Sequence, residues 1–210
     1  MKWIVGLVLG VILGIGCGIQ DAGYREETLV EIIKAPGIKQ INPYQEEYER
    51  MLYPTVRITA GWSTGSGVIF HRKDAKDAEN TIYILTACHV VEKEATVDVE
   101  LYDSTVITAS VVITDTTKDL ALLCASAVKP YFATLAPQNY TPYLFTPVWT
   151  VGCSLGLEPR PSYGHLCALA VNNWDVSSPV LPGNSGGPVY DARTYEVIGI
   201  AVWVKVYNGQ

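Results

Sequence analysis

Six short stretches rich in Val, Ile, Thr and Tyr follow one another between residues 54 and 125, and turn residues separate them. Each stretch has the length and composition of one strand, so their regular spacing predicts a small antiparallel barrel or sandwich. No long run of helical periodicity competes with that interpretation. The stretches are PTVRITAGW, GSGVIFH, TIYILTA, ATVDVELYD, STVITASVVIT and DLALLCA.

The same texture resumes after an irregular segment. Residues 126–145 contain three prolines, which predicts a connector that runs over the surface. We therefore predict an all-β chain with a first lobe at about 53–125 and a second at about 146–210, preceded by a polar linker with short helical pieces at 20–52. The strand-like stretches of the second lobe are PVWTVGC, HLCALAVNNW, GGPVYD and EVIGIAVWVKV.

Composition and charge exclude several classes of protein. With 49% hydrophobic and 17% charged residues, the 210-residue chain can bury an ordinary core and is neither disordered nor collagenous. The net charge is -6 and no run of Lys or Arg exceeds a pair, so nucleic-acid binding is not expected. No C-x-x-C motif or His/Cys cluster offers a zinc site, and we expect neither a metal nor an organic cofactor.

An apolar segment opens the chain and predicts export. From Trp3 to Ile19 there is no charged residue, and this length lies between a signal-peptide core and a comfortable membrane span. We therefore interpret residues 1–19 as a signal or anchor that places the rest of the chain outside the cytoplasm. A single Lys on the amino side agrees with that orientation.

Two details of this segment favour different forms of membrane attachment. Glycines recur at every fourth position, which on a helix makes a smooth face of the kind that packs transmembrane helices. The pair Gly16-Cys17 resembles the end of a bacterial lipoprotein signal, in which Cys17 would be lipidated. An uncleaved anchor, a lipoprotein signal and simple secretion all remain open. The glycines are at positions 6, 10, 14 and 18.

Four further cysteines follow the apolar segment, at positions 88, 124, 153 and 167. In an exported protein an even set predicts disulfides, with three possible pairings. Small buried hydrophobic residues are an equally good interpretation.

The stretch LPGNSGGPVY, residues 181–190, surrounds Ser185 with glycines in a Gly-x-Ser-x-Gly pattern. In α/β-hydrolases this pattern forms a nucleophile elbow, and the catalytic histidine follows the serine along the chain. Here no histidine lies beyond His165, and the sequence after Ser185 is strand-like with an early proline. The elbow interpretation therefore fails on order and on context.

A nucleophilic serine needs a general base, and the chain has three histidines. His89 closes the apolar stretch TIYILTACHVV, so a rigid strand end would hold its ring as a general base requires. A core histidine is the alternative at this position. His71 and His165 have no partner motif and are interpreted as structural or solvated.

The imidazole in turn needs a carboxylate to orient it. Asp119 stands directly before the apolar stretch LALL, where a charge requires a hydrogen-bonding partner such as a histidine N–H. Asp115 is a competitor in a more polar run, where a turn residue is the simpler interpretation.

His89 in LTACHVV, Asp119 in DLALL and Ser185 in GNSGGPV follow one another in the order His, Asp, Ser. In this the chain resembles the chymotrypsin-like serine proteases, and it is most similar to the bacterial HtrA/DegP-type branch. The match extends to GSGVIF, TVGCSLGLEP and EVIGIAV and covers most of residues 54–204. The resemblance implies two six-stranded antiparallel β-barrels with the active site between them.

The resemblance also implies a role for each residue of the site. Ser185 would attack a peptide carbonyl, His89 would carry its proton to the leaving amine, and Asp119 would orient His89. The backbone N–H groups of Gly183 and Ser185 would form the oxyanion hole. The implied protein is a serine endopeptidase that acts on protein or peptide substrates without a cofactor.

Other positions bear on specificity. The resemblance places Pro179 at the base of the primary specificity pocket, and since no charge lies there, small or medium apolar side chains are the expected fit. Ser154 stands where the similar proteases have the proline of a Gly-x-Pro-x-Gly loop. Cys88 replaces the usual small apolar residue before the histidine.

The end of the sequence predicts an incomplete second lobe. Asn208-Gly209 is a hairpin signal followed by a single residue, so we expect a second barrel that is truncated in this sequence.

A catalytically inactive binding module of the same fold is the main alternative to the protease, and a structural membrane protein is a third possibility. The presence of all three triad residues favours the protease.

Overall fold

A computed structural model describes residues 42–71, 80–128, 130–170 and 173–202 of the chain. The chain divides into two units, Met1–Pro43 and Tyr44–Gln210, and the fold given below is that of the second unit. The predicted signal or anchor at 1–19, with Cys17, lies outside the described residues. In the ranges that are described, no helix is long and apolar enough to cross a membrane.

The first lobe is a closed antiparallel barrel of six strands. These are β1 (Thr55–Ala60), β2 (Ser63–Phe70), β3 (Thr81–Thr86), β4 (Thr96–Glu100), β5 (Val106–Asp115) and β6 (Leu120–Ser126). They close in the order β1-β2-β3-β6-β5-β4. Alternating side chains point inward, so that Val56, Ile58, Ile84, Val99 and Leu123 are fully buried in one core.

The second lobe is a six-stranded sheet. Its strands are β7 (Thr134–Leu135), β8 (Pro147–Gly152), β9 (Arg160–Leu169), β10 (Trp174–Val176), β11 (Pro188–Asp191) and β12 (Glu196–Ile200). The order is β10-β9-β8-β11-β12-β7, and every pair is antiparallel except β12 with β7. Val151 and Tyr190 are fully buried in one of its cores, and Val148 and Leu166 lie in another.

The predicted all-β class with two antiparallel lobes is confirmed, with one correction to the segment between them. Residues 126–145 are more than a surface connector, because Thr134 and Leu135 pair in parallel with Glu196 and Val197. The free edge of β12 offers backbone groups that this short stretch can bond, and Ala136 N–H also donates to the Val197 carbonyl at 2.9 Å.

A short helical segment precedes the first strand and belongs to the compact unit. Met51 is buried in the core of the second sheet. Its carbonyl accepts hydrogen bonds from Thr55 Oγ1 at 2.6 Å and from the Tyr190 hydroxyl at 3.2 Å. The part of the predicted linker at 20–52 that begins at Tyr44 therefore belongs to the compact second unit. The elements are α1 (Gln45–Glu47) and a π-helical turn (Tyr48–Leu52).

Two further helical elements follow central strands and lead to the site. The helix α2 (Cys88–Val91) comes directly after β3, and Val90 and Val91 anchor it in the core of the barrel. A 3₁₀ turn (Ser154–Gly156) comes directly after β8.

The four cysteines of the described residues are all free thiols. None of the three possible disulfide pairings is formed among Cys88, Cys124, Cys153 and Cys167. Cys153 is fully buried and fits the interpretation as a small hydrophobic residue, and burial raises the pKa of its thiol to about 11.

A buried carboxylate ties the connector to the hairpin between β11 and β12. Asp191 is fully buried and accepts hydrogen bonds from Arg193 Nε at 2.9 Å, Arg193 Nη2 at 2.6 Å and the Tyr140 hydroxyl at 2.9 Å. Burial acts to raise the pKa of Asp191, but the hydrogen bonds from Arg193 and Tyr140 outweigh it and hold this pKa below the ordinary 3.8.

Because its pKa is lowered by folding, ionised Asp191 stabilises the fold above about pH 3.8, and this stabilisation is lost as the pH falls through the folded-state pKa. We expect Asp191→Asn to lower the free energy of unfolding by about 1–3 kcal/mol at pH 7. We expect it also to flatten the pH dependence below that point. Urea denaturation between pH 7 and pH 2.5 measures both effects. Asp98→Asn, at an exposed position on β4, is the control, and equal acid profiles for Asp191→Asn and the wild type would contradict the assignment.

Candidate active site

His89 and Asp119 meet at one end of the barrel, where β3 and β6 are paired. Thr86 at the end of β3 lies opposite Ala121, so the residues beyond these strand ends are neighbours. His89 Nδ1 lies 2.6 Å from Asp119 Oδ2, and the His89 backbone N–H donates to Asp119 Oδ1 at 2.9 Å. The carboxylate thus holds the proton on Nδ1 and leaves Nε2 free to accept another.

The backbone of Asp119 is fixed as firmly as its side chain. Its φ angle is +54°, a left-handed conformation that Asp tolerates better than most residues. Its carbonyl accepts the Cys88 N–H at 3.1 Å, and the residue is only 8% exposed. Asp115 instead accepts the N–H groups of Thr117 and Lys118 in an exposed turn. Of the two candidate carboxylates, the structure brings Asp119 to the histidine.

Ser185 lies in a loop of residues 181–187, called the serine loop below, which precedes β11. The loop meets the barrel backbone to backbone, since the Ser66 N–H donates to the Ser185 carbonyl at 2.7 Å. A Cβ at Gly65 would lie 2.9 Å from that carbonyl, and a Cβ at Gly186 would lie 2.1 Å from the Ser66 carbonyl. Only glycine permits so close an approach.

The backbones that carry the serine and the histidine are adjacent. A Cβ at Gly186 would lie 2.9 Å from the backbone nitrogen of Ala87, in the stretch that leads into α2. Within the described residues, the Ser185 hydroxyl and the His89 ring share no hydrogen bond. Such bonds are often long in ligand-free sites and tighten when substrate binds.

Two backbone N–H groups of the serine loop are free to bind an anion. Gly183 has φ of +98°, and a Cβ there would lie 2.4 Å from the Cys153 carbonyl. The Pro182 carbonyl accepts the Leu155 N–H at 2.7 Å, so the Gly183 N–H of the same trans peptide points the opposite way. Among the described residues, no acceptor bonds the N–H of Gly183 or of Ser185. This pair of donors suits a developing oxyanion.

The residue predicted for the specificity pocket and the other two histidines lie on the surface. Pro179 is exposed, and its carbonyl accepts the Ser162 hydroxyl at 2.6 Å. His71 and His165 are exposed as well. Of the three histidines, all in described ranges, only His89 contacts a carboxylate.

Sequence reasoning missed the hydrogen-bonding roles of three polar side chains in and around the serine loop, namely Ser66, Ser154 and Asn184. Ser66 is fully buried and Asn184 is 2% exposed. The signal for Ser66 was present, because a hydroxyl between two glycines at the head of an apolar strand must find a partner. For Asn184 there was none, since only the folded loop buries it.

A cavity of about 640 Å³ lies beside His89 and Asp119. Its apolar lining could accept an apolar side chain next to the histidine. Among the residues that the structure describes, no group of three or more His, Cys, Asp or Glu could hold a metal ion. The apolar part of the lining comes from Val91, Val111 and Val202, and Glu92, Lys93 and Glu94 add charged side chains to it.

Comparison with known proteins relates the chain to one group. The profile of the Trypsin-like peptidase domain family matches residues 65–200. HhoB of Synechocystis sp. is 32% identical over 156 residues, which cover 68% of this chain and 35% of HhoB. The serine protease Do-like HtrA of Bacillus subtilis is 30% identical over 154 residues, which cover 65% of this chain and 32% of that protein.

A solved structure shares the fold. The crystal structure of the serine endoprotease from Yersinia pestis matches with a TM-score of 0.66 and 24% identity, covering 77% of this chain and 58% of that one. The chain spans about a third of the length of the curated relatives named above. The family match includes His89, Asp119 and Ser185.

The packing of the serine loop against the barrel predicts a steric effect at Gly65. A Cβ there would lie 2.9 Å from the Ser185 carbonyl oxygen of the serine loop and 2.5 Å from Val90 Cγ2, so Gly65→Ala should destabilise the fold by about 1–3 kcal/mol. Gly199→Ala is the matched control in a strand, because a Cβ there meets nothing within 4 Å. Urea denaturation of both variants measures the difference, and equal stabilities would contradict the close approach.

Proposed function

Because this chain belongs to the trypsin-like peptidase domain family, we propose that it is a serine endopeptidase that cleaves peptide bonds of proteins through His89, Asp119 and Ser185. The observation that carries the proposal is the 2.6 Å contact between His89 Nδ1 and Asp119 Oδ2. It lies on the part of the barrel against which the serine loop packs. An oriented imidazole beside a serine held among glycines is the arrangement that acyl transfer requires.

The proposed reaction has two halves. Ser185 Oγ attacks the carbonyl carbon of the substrate while His89 Nε2 takes the hydroxyl proton, and His89 then gives that proton to the leaving amine. Water next attacks the acyl-enzyme, again with His89 as base, and releases the acid and free Ser185. Asp119 stabilises the imidazolium formed in each half and stays ionised throughout.

The negative charge of each tetrahedral intermediate needs donors that are already in position. The N–H groups of Gly183 and Ser185 supply them in this proposal, since neither has another acceptor among the described residues. Loss of one such donor typically costs about 3 kcal/mol of transition-state stabilisation.

The proposed substrates are proteins or peptides with small or medium apolar side chains near the cleaved bond. The uncharged Pro179 supports this preference. The resemblance places Pro179 at the base of the primary specificity pocket, where it offers no counter-ion for Lys or Arg, so trypsin-like cleavage after basic residues is not expected.

We further propose that the protein acts outside the cytoplasm and is tethered to the membrane by residues 1–19. The uncharged stretch from Trp3 to Ile19 supports this. An uncleaved anchor or a lipoprotein signal would provide the tether, and simple secretion is the alternative. Mass analysis of the mature N-terminus distinguishes them, because it reads retained Met1, lipidated Cys17 or a later cut. A mature chain that is recovered from the cytoplasm with Met1 intact would contradict export.

An inactive binding module of the same fold is the alternative. The missing hydrogen bond between Ser185 and His89, both in described ranges, is the observation that favours it. The two functions differ in chemistry, since only the enzyme transfers an acyl or phosphonyl group to Ser185.

We therefore expect a fluorophosphonate probe to label the full chain covalently. Ser185→Ala should abolish labelling, and His89→Ala should slow peptide hydrolysis by roughly 10⁶-fold in kcat because the serine loses its base. Gel fluorescence and peptide mapping check the label. A folded wild-type protein that stays unlabelled would sink the enzyme and leave the binding module.

The role of Asp119 predicts a separate kinetic effect. Asp119→Asn should lower kcat by about 10⁴-fold, because the amide favours the wrong tautomer of His89. Asp115→Asn, which alters only an exposed turn, is the matched control and should leave kcat within about twofold. Equal losses in the two variants would remove Asp119 from the proposed triad.

A further inference from the structure

Besides the bond from the Ser66 N–H to the Ser185 carbonyl, three hydrogen bonds from outside the serine loop reach three consecutive residues of that loop. The donors belong to β2 and to residues 153–156, called the bracing turn below. Each bond fixes a different peptide unit or side chain around the free N–H groups of the loop. The bonds join Leu155 N–H to the Pro182 carbonyl, Ser66 Oγ to the Gly183 carbonyl, and Ser154 Oγ to Asn184 Oδ1.

Ser66 connects the serine loop and the bracing turn through a single hydroxyl. Its Oγ donates to the Gly183 carbonyl at 2.7 Å and accepts the Cys153 N–H at 2.7 Å. The side chain is fully buried, and its geometry is fixed further because the Ser66 carbonyl accepts the Thr86 hydroxyl at 2.7 Å. A buried hydroxyl with both partners in place resists displacement, since breaking either bond leaves a polar group unsatisfied.

Ser154 holds the residue between the two anion-binding N–H groups. Asn184 lies between Gly183 and Ser185, is 2% exposed, and accepts the Ser154 hydroxyl at its Oδ1. Ser154 stands where the similar proteases have a proline, which carries no hydroxyl. This link therefore distinguishes the present chain from that pattern.

The bonds matter because the peptide between Pro182 and Gly183 can rotate. A flip of this peptide would turn its N–H away from the site and bring its carbonyl in, which would repel an oxyanion. The bond from Leu155 to the Pro182 carbonyl opposes the flip, and the bonds from Ser66 and Ser154 fix the residues that follow.

We propose that Ser66 and Ser154 are positioning residues that aim the N–H groups of Gly183 and Ser185 at the oxyanion. The assignment rests on the proposed function. Both hydroxyls are hydrogen-bonded to the serine loop and act through it. They therefore help to stabilise the transition state and do not bind the substrate.

Kinetics of the full chain test this role with an acylated valine thiobenzyl ester as substrate and the matching aldehyde as inhibitor. Ser66→Ala and Ser154→Ala should each lower kcat roughly tenfold or more, while KM stays within twofold. This loss of kcat is smaller than the roughly 10²–10³-fold loss that follows removal of an oxyanion-hole donor. The aldehyde, whose adduct carries an oxyanion, should lose affinity in parallel. Ser154→Thr keeps the hydroxyl and should retain the wild-type kcat.

Thr55→Val is the matched control, because it removes another fully buried hydroxyl, which bonds the Met51 carbonyl away from the serine loop. Its kcat should equal that of the wild type. The positioning role is overturned if Ser154→Ala loses no more kcat than Thr55→Val, or if Ser154→Thr is as impaired as Ser154→Ala.

Hydrogen exchange read by mass spectrometry separates this inference from the proposed function. Ser66→Ala and Ser154→Ala should accelerate exchange in peptides covering 153–157 and 184–187, where backbone N–H groups are bonded, and Thr55→Val should not. Unchanged exchange overturns the positioning role even in an active enzyme. An unlabelled wild-type protein with accelerated exchange in these variants overturns the protease and keeps the bracing of the loop.

Discussion

The contact between the serine loop and the barrel depends on backbone meeting backbone with no side chain in between. Gly65 of β2 and Gly186 of the serine loop each lie so close to the backbone of the other segment that no Cβ would fit, and the Ser66 N–H donates to the Ser185 carbonyl across this contact. Had either position carried a side chain, the two lobes would stand further apart. Ser185 would then lie further from His89, which belongs to the other lobe.

Buried carboxylates fix the parts that flank this contact. Asp119 uses both oxygens on His89, so the residue that holds the ring also holds the backbone that carries it. In the second sheet, the carboxylate of Asp191 accepts hydrogen bonds from Arg193 and Tyr140 and so fixes these two side chains. A buried charge is tolerated only when its partners are complete, so each carboxylate keeps its surroundings in one arrangement.

Much of this architecture could be predicted from the sequence, because strands and sequential motifs are local signals. The all-β class and the resemblance to HtrA-type serine proteases are confirmed, whereas the roles of His89, Asp119 and Ser185 stay predictions. The strand at Thr134 and Leu135 was missed because its composition is that of a loop and only the edge of β12 makes it a strand.

Buried contacts between residues far apart in the sequence could not be predicted either, because local sequence patterns do not show which segments meet. The sequence assigns Met51 to an acidic linker, whereas in the structure its carbonyl accepts hydrogen bonds from Thr55 and Tyr190. By its sequence context Asn184 is a turn residue, whereas in the structure the serine loop buries it. In both cases the partner lies in a segment that local pattern cannot connect.

The edge strands of the second sheet have a consequence for association between molecules. Within the described residues, its outer strands are β10, of three residues, and β7, of two. The barrel, being closed, has no edge at all. Strands this short present few unpaired backbone groups, so these two described edges offer little template for sheet-to-sheet pairing between molecules.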